Sequence, residues 1–338
     1  MSPCRTTSWL TRDRLGKGGS LLPMAAPPGP STGRLTVGDL RGSVGRRRRE
    51  AILRTAFAAA AMTSILISVL IIVSLVGEAA NFLSNIDLSL LFERGWFPRR
   101  DLFGITTIVT GTFLVAGIGM VVATPLGLGA AIYLSEYASR RVRRTIKPIL
   151  EILAGIPSVV LGYFALNFLS PMVVDPICPG ATNIFNMAAA GIGVGVLITP
   201  LIASVAEDAL YAVPSSLREA SYGLGARRRT TSLRIVFPAA ISGIVAALIL
   251  GMSRGIGETM IVAMAAGASG GSLFQLNPCE PGQTMTAAMT ALATGSDQVR
   301  GAALAFPSLF FVGLLLFVLT LTLNLVADAF VRRVRTRY

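Results

Sequence analysis

The sequence predicts an all-α integral membrane protein with six transmembrane helices and both termini in the cytoplasm. Three observations carry this expectation. Of the 338 residues, 53% are hydrophobic and 14% charged, with a mean hydropathy of +0.67, whereas an ordinary soluble domain carries about 25% charged residues. Six long runs contain no charge at all. The basic residues fall almost wholly into alternate gaps between those runs.

The runs are Thr55–Gly77, Leu102–Ser135, Ile152–Val174, Pro176–Ala206, Ile235–Ser253 and Gly301–Ala327. A helix needs about 20 mostly apolar residues to cross the hydrocarbon core, and each run approaches or exceeds that length. The first is too long, and starts too far into the chain, to be a secretory signal peptide. The fifth is the shortest and continues past Arg254 and Glu258 into Thr259–Ala268. Ahead of the first run, Gly, Pro, Ser and Thr dominate without periodicity, a composition that stays disordered. The expected division is a disordered, basic, cytoplasmic segment over 1–50 and a membrane domain over 51–338, with Met24 as a second candidate start.

Orientation follows from the gaps. Eleven Lys and Arg precede Thr55, among them Arg46–Arg49. Arg140, Arg141, Arg143, Arg144 and Lys147 separate the second and third helices, and Arg218, Arg227, Arg228, Arg229 and Arg234 the fourth and fifth. Arg332, Arg333, Arg335 and Arg337 follow the sixth, whereas the alternate gaps hold only Arg94, Arg99, Arg100 and Arg300. Cytoplasmic loops retain the positive charge, so a split of 25 to 4 places both termini inside. The net charge of +13 therefore points to membrane lipid at the helix ends and not to nucleic acid.

The chain has no histidine, which removes His-based triads, most transition-metal sites and the common proton relay near neutral pH. Its three cysteines lack metal-ligand spacing. No metal or cofactor is expected. Cys178 and Cys279 each lie beside proline in an outward-facing gap; that compartment is oxidising, and a bridge between them and two separate thiols both stay open. Pro125, Pro157 and Pro200 fall inside helical runs, where proline breaks the hydrogen-bond ladder; a kink suited to a gate and the plain tolerance of proline in membrane helices both stay open. Gly191, Gly193 and Gly195 follow no strand, so they read as close helix packing and not as a phosphate loop.

The gap at about 207–238 is the most informative. Ser216 and Glu219 have the S-x-x-E spacing of a capping box. Leu217, Ala220, Ser221 and Leu224 recur at helical spacing and give one small apolar face, and Gly223 and Gly225 offer a stop. Such a short amphipathic helix suits a groove in another protein. Glu219-Ala220-Ser221, then Gly225, then Ile235-Val236-Phe237-Pro238 resembles the EAA loop of ABC-importer membrane subunits, with Ser221 and Phe237 as mild departures. The resemblance implies a type I importer permease fold and a coupling helix docked in the cleft of a separate ATPase. On it, Ser216, Glu219, Ala220, Gly225 and Pro238 are the coupling residues.

The second feature lies deeper. Arg254 and Glu258 stand four apart in an otherwise apolar segment beside Gly251, Gly255 and Gly257, which predicts one shared helical face. A charge at the centre of a membrane helix costs at least about 2.5 kcal/mol and usually marks a pathway; the bland alternative is a self-neutralising i,i+4 pair. Guanidinium is a planar fork that matches a tetrahedral oxyanion. Phosphate keeps a proton near neutral pH and can donate a hydrogen bond to a carboxylate such as Glu258, which sulfate cannot do.

Ser253-Arg254 with Gly257-Glu258-Thr259-Met260 resembles the fifth-helix sequence of phosphate-specific ABC permeases, and of their PstC-type subunit more than the PstA-type. Gly95-Trp96-Phe97-Pro98, Pro125-Leu126-Gly127-Leu128-Gly129 and Ala154-Gly155-Ile156-Pro157-Ser158 agree. The resemblance runs from about residue 50 to the end. It implies a multi-pass protein of the bacterial plasma membrane that works with a PstA-type permease, a PstB-type ATPase dimer and a PstS-type extracytoplasmic phosphate-binding protein. The chain has no G-x-x-x-x-G-K-[ST] motif, so ATP hydrolysis is assigned to that separate subunit. A PstA-type subunit, a sulfate or molybdate permease, and an ion-coupled secondary transporter remain the alternatives.

Overall fold

The computed structural model describes residues 44–179, 183–267, 271–295 and 304–334. Met24, Arg300, Arg335, Arg337, the side chains of Arg46 and Arg47, and the tail before residue 44 lie outside the described residues. The chain divides into Met1–Ile65 and Leu66–Tyr338. In the first unit the described residues form the start of helix α1 (Val44–Asn85), which includes residues 44–50 of the segment expected to be irregular.

Four helices are long and apolar enough to cross a membrane singly: α1, α2 (Ile105–Tyr137), α5 (Met187–Tyr211) and α11 (Ala305–Val334). The other two expected spans are bent pairs. Helix α3 (Arg140–Ala154) meets α4 (Ser158–Val174) at 85°, and α7 (Arg228–Ala239) meets α8 (Ile241–Ile256) at 71°. The first bend has a local cause: Gly155 caps α3, and Pro157 is the N-cap of α4 instead of an interior residue, since proline pushes the residue before it out of helical geometry. At the second, the backbone leaves the helix at Ala240, two residues after Pro238. Charge-free length alone does not register direction: the six expected spans are four single helices and two bent pairs. The fourth run also shortens at its start, where α5 begins only after Asn186, whose side chain accepts from Ala189 N at 2.7 Å.

The centre of the second unit is α2 against α5. Their contact is made by missing side chains: a Cβ on Gly195 would lie 2.9 Å from the Gly119 carbonyl oxygen, and one on Gly191 would lie 2.7 Å from Ile118 Cβ. Close backbone approach of this kind drives association where the surrounding lipid is as apolar as the helix. Around it, Val115, Ala123, Val194, Ile198, Ile202 and Ile261 are buried in one apolar cluster.

A second cluster sits at the end where α2 begins. A hairpin of β1 (Trp96–Phe97) and β2 (Leu102–Phe103) turns through Asp101 in the left-handed region and pairs Trp96 with Phe103. Phe82, Phe103 and Trp96 meet edge to face there. Trp96 also bridges to Ser272, so the hairpin holds the 271–284 segment that precedes α10 (Met285–Ala293). That segment crosses the start of α5, with Met187 N donating to Glu280 O at 3.1 Å and Ala188 N to Pro278 O at 2.8 Å. Cys178 and Cys279 form a disulfide beside this crossing, their Cα atoms 5.9 Å apart. Intact mass spectrometry of unreduced protein is expected to show this bond as a loss of two hydrogens. Two free thiols would exclude it.

Candidate functional site

Helix α6 (Ser215–Gly223) follows α5 at the arginine-rich end of the bundle. Its start differs from the expected capping box. Pro214 is the N-cap, Ser216 lies inside the first turn, and no side chain caps the helix. The proline sets the extended approach itself and its carbonyl accepts from Leu217 N at 3.3 Å, so the helix begins before Ser216 and Glu219 can close a box. The stop is as the glycines suggest. Gly225 has φ +76, Gly225 N donates to Tyr222 O at 2.9 Å and Ala226 N to Ser221 O at 3.1 Å, the paired bonds that end a helix through a left-handed residue.

The small face divides. Ser221 is buried and its hydroxyl meets Thr231 Oγ1 at 2.8 Å, which closes α6 onto α7. Glu219, Ala220, Tyr222, Gly223 and Gly225 are exposed, and Leu224 is 90% exposed. Leu224 and the neighbouring Tyr222 give the tip of this short helix a small exposed apolar surface. Pro238, at the far end of the loop, sits at the α7–α8 bend.

Two buried carboxylates support this end, and the spacing of the sequence gave no sign of either pairing. Glu136, in the wide final turn of α2, accepts from Arg218 Nη2 at 2.9 Å and Nε at 3.3 Å. Arg218 also donates to the carbonyls of Val213 at 2.6 Å and Leu210 at 2.8 Å. Glu207 on α5 pairs with Lys147 at 2.9 Å and with Arg143, and Lys147 also reaches Asp208. Arg143 stacks 3.7 Å above the Tyr211 ring. The amphipathic α3 is thus pinned to α5 through its cations. The available signal is that Glu136 and Glu207 each sit at the end of a charge-free run, where an apolar helix reaches a gap that carries the basic residues.

The deep pair is separated by the structure. Helix α8 ends at Ile256 with Gly257 as its cap, and α9 (Met260–Ala265) starts anew. Arg254 and Glu258 therefore do not share a helical face, and no hydrogen bond or ion pair joins them. Arg254 stands in the last turn of α8, where the helix dipole favours a cation. Glu258 Oε1 accepts from Met260 N at 3.1 Å and Ile261 N at 3.3 Å, and Thr286 Oγ1 donates to the Glu258 carbonyl at 2.8 Å. The glutamate holds the break open; three glycines and a satisfying carboxylate make breaking cheaper than continuing.

Arg254 is exposed, on a stripe with Leu250 and Gly257, and contacts no other charged group among the described residues. It lies about 20 Å along α8 from Ala240, at 1.5 Å per residue, far along the span from the bend where α7 joins it. A cleft of about 520 Å³ at the opposite end is lined by Phe97, Phe185, Gln275 and Glu280 among others. No Lys or Arg is among its described lining residues, which makes it a poor anion site.

Residues 123–336 match the family described as binding-protein-dependent transport system inner membrane component. The chain is 31% identical to the phosphate transport system permease protein PstC of Mesorhizobium japonicum, over 85% of this chain and 91% of that one. It is equally 31% identical to the PstC of Haemophilus influenzae, over 80% and 89% of the two chains. Among solved structures, a bacterial alginate ABC transporter in complex with its alginate pentasaccharide-bound periplasmic protein superimposes with a TM-score of 0.59, at 19% identity, over 85% of this chain and 98% of that one. The four continuous and two bent spans, the α6 loop and the match over most of the chain agree: the protein is a multi-pass membrane permease and belongs to the family of binding-protein-dependent transport system inner membrane components.

Proposed function

We propose that the chain is the PstC-type permease subunit of an ATP-driven inorganic phosphate importer, contributing half of the translocation path. The observation that carries the reading is Arg254, an exposed guanidinium about 20 Å along an apolar membrane helix, in a protein whose relatives bear a phosphate-transport name. Exposed to lipid, that charge would be costly; facing an aqueous path shared with a second permease, it supplies the planar donor set that suits a tetrahedral oxyanion. Glu258 stands at the same break and is the hydrogen-bond acceptor for the O–H that phosphate retains near neutral pH.

The partners follow from this reading: a PstA-type permease against the exposed stripe of α8, two PstB-type ATPases, one of them receiving α6, and a PstS-type binding protein on the opposite side. Glu219, Ala220, Gly225 and Leu224 form the surface offered to the ATPase. Both termini are cytoplasmic, the segment before residue 51 is an appendage to the membrane domain, and the Cys178–Cys279 bridge lies outside the cell. The catalysis of ATP hydrolysis belongs to the ATPase subunits.

Uptake of labelled phosphate by proteoliposomes holding the four-component complex tests this. Import is expected to require internal ATP, to need the binding protein and to be insensitive to an uncoupler. Uptake that collapses with the proton gradient, or that transports sulfate or molybdate in place of phosphate, overturns it.

A further inference from the structure

Helix α6 is weakly held by apolar packing. Of its residues only Ser221 is buried, and its bond to Thr231 ties it to α7. Half-buried Leu217 packs against the cluster of Ala131, Leu210 and Ile244, and the polar link from α6 to the long helices is the Arg218 guanidinium, which reaches two carbonyls at and just past the end of α5 and the Glu136 carboxylate at the end of α2. The Arg218 and Glu136 side chains are 19% and 4% exposed. Ser232 Oγ approaches the other Glu136 oxygen at 3.4 Å, so α7 meets the same carboxylate.

We propose that the Glu136–Arg218 pair is the link that carries a displacement of α6 into α2, so that these two are positioning residues for transport coupling. The proposal rests on the reading of the chain as an ATP-coupled phosphate permease. Three features support it. A buried ion pair is a poor adhesive compared with apolar packing of equal volume, but the Arg218 guanidinium donates to Glu136 and to the carbonyls of Val213 and Leu210 at once, which fixes its direction as well as its distance. The pair joins the helix that faces the ATPase to a helix that runs the whole length of the bundle. At its far end α2 holds the segment before α10, where Thr112 Oγ1 accepts from Met285 N at 3.0 Å. Motion imposed at α6 therefore has a connected route to the opposite end, made of one ion pair and one rigid helix. The Glu207 cluster, which joins α3 to α5 without touching α6, lies off that route.

The test is the ratio of phosphate imported to ATP hydrolysed, in proteoliposomes holding equal amounts of assembled complex. Glu136→Gln and Arg218→Lys are expected to keep ATP hydrolysis within about twofold while the ratio falls about tenfold or more. Lys147→Gln, in the Glu207 cluster, is expected to lower the yield of complex and leave the ratio unchanged. An unchanged ratio in both link variants overturns the proposal. So does a proportional fall of hydrolysis and uptake, or failure of both variants to assemble, which would assign the pair to folding. A wild-type complex that hydrolyses ATP without importing phosphate overturns the functional reading itself and the proposal with it.

Discussion

Arg254→Gln is expected to lower phosphate uptake by the assembled importer at least about tenfold with the amount of complex unchanged. The two halves of that expectation have separate sources. A hydrogen bond to a charged group contributes about 1.5–3 kcal/mol, and each 1.4 kcal/mol is a factor of ten, so removing the charge from an anion path is felt directly. The side chain is exposed and makes no ion pair among the described residues, so its removal leaves nothing uncompensated among them. Arg254→Lys keeps the charge but loses the planar fork, and an intermediate rate is expected. Uptake is measured at matched complex levels and over a range of phosphate concentrations. Wild-type transport by the glutamine variant would remove Arg254 from the path.

The second large effect is structural. Gly195→Leu is expected to destabilise the protein by about 3 kcal/mol or more, at the top of the range for overpacked cores, because even its Cβ would lie 2.9 Å from the Gly119 carbonyl oxygen. Backbone cannot rotate out of the way as a side chain can. The matched control is Gly129→Leu on the same helix pair, where an added Cβ meets nothing within 4 Å and a change within about 0.5 kcal/mol is expected. Thermal aggregation midpoints of the detergent-solubilised variants separate the two. Equal midpoints would mean that α2 and α5 are not in glycine-mediated contact.

These two sites show what the sequence makes visible. The run of Gly191, Gly193 and Gly195 announces close helix contact because nothing else explains missing side chains in an apolar helix. Gly225 is legible for a different reason: it ends a helical pattern, and its φ of +76 is one that glycine adopts freely. The apolar runs give the membrane class because length and absence of charge suffice for it. They do not give direction. The bends at Gly155–Pro157 and at Ala240 turn on single backbone angles, and a proline inside an apolar run reads alike whether it kinks a helix or starts one. The Arg254–Glu258 spacing misleads for the same reason, since four residues share a face only while the helix continues. The ion pairs of Glu136 and Glu207 join residues 82 and 60 positions apart, and no local pattern encodes such a distance.

The bent spans also constrain how the chain enters a bilayer. Helix α8 has 16 residues, about 24 Å at 1.5 Å per residue, less than the roughly 30 Å of hydrocarbon it would have to cross alone. The amides at the Gly257 break are satisfied locally, but the Glu258 carbonyl takes its donor, Thr286 Oγ1, from a later segment and would meet lipid unpaired without it, which isolated segments do not tolerate. Such a segment is a poor substrate for one-at-a-time release from the translocon. It is accommodated only once protein surface surrounds it, here α5, α11 and the N-terminal turn of α10. Biogenesis of this chain is therefore a late, collective event, with the straight helices inserted first and the broken ones settling between them.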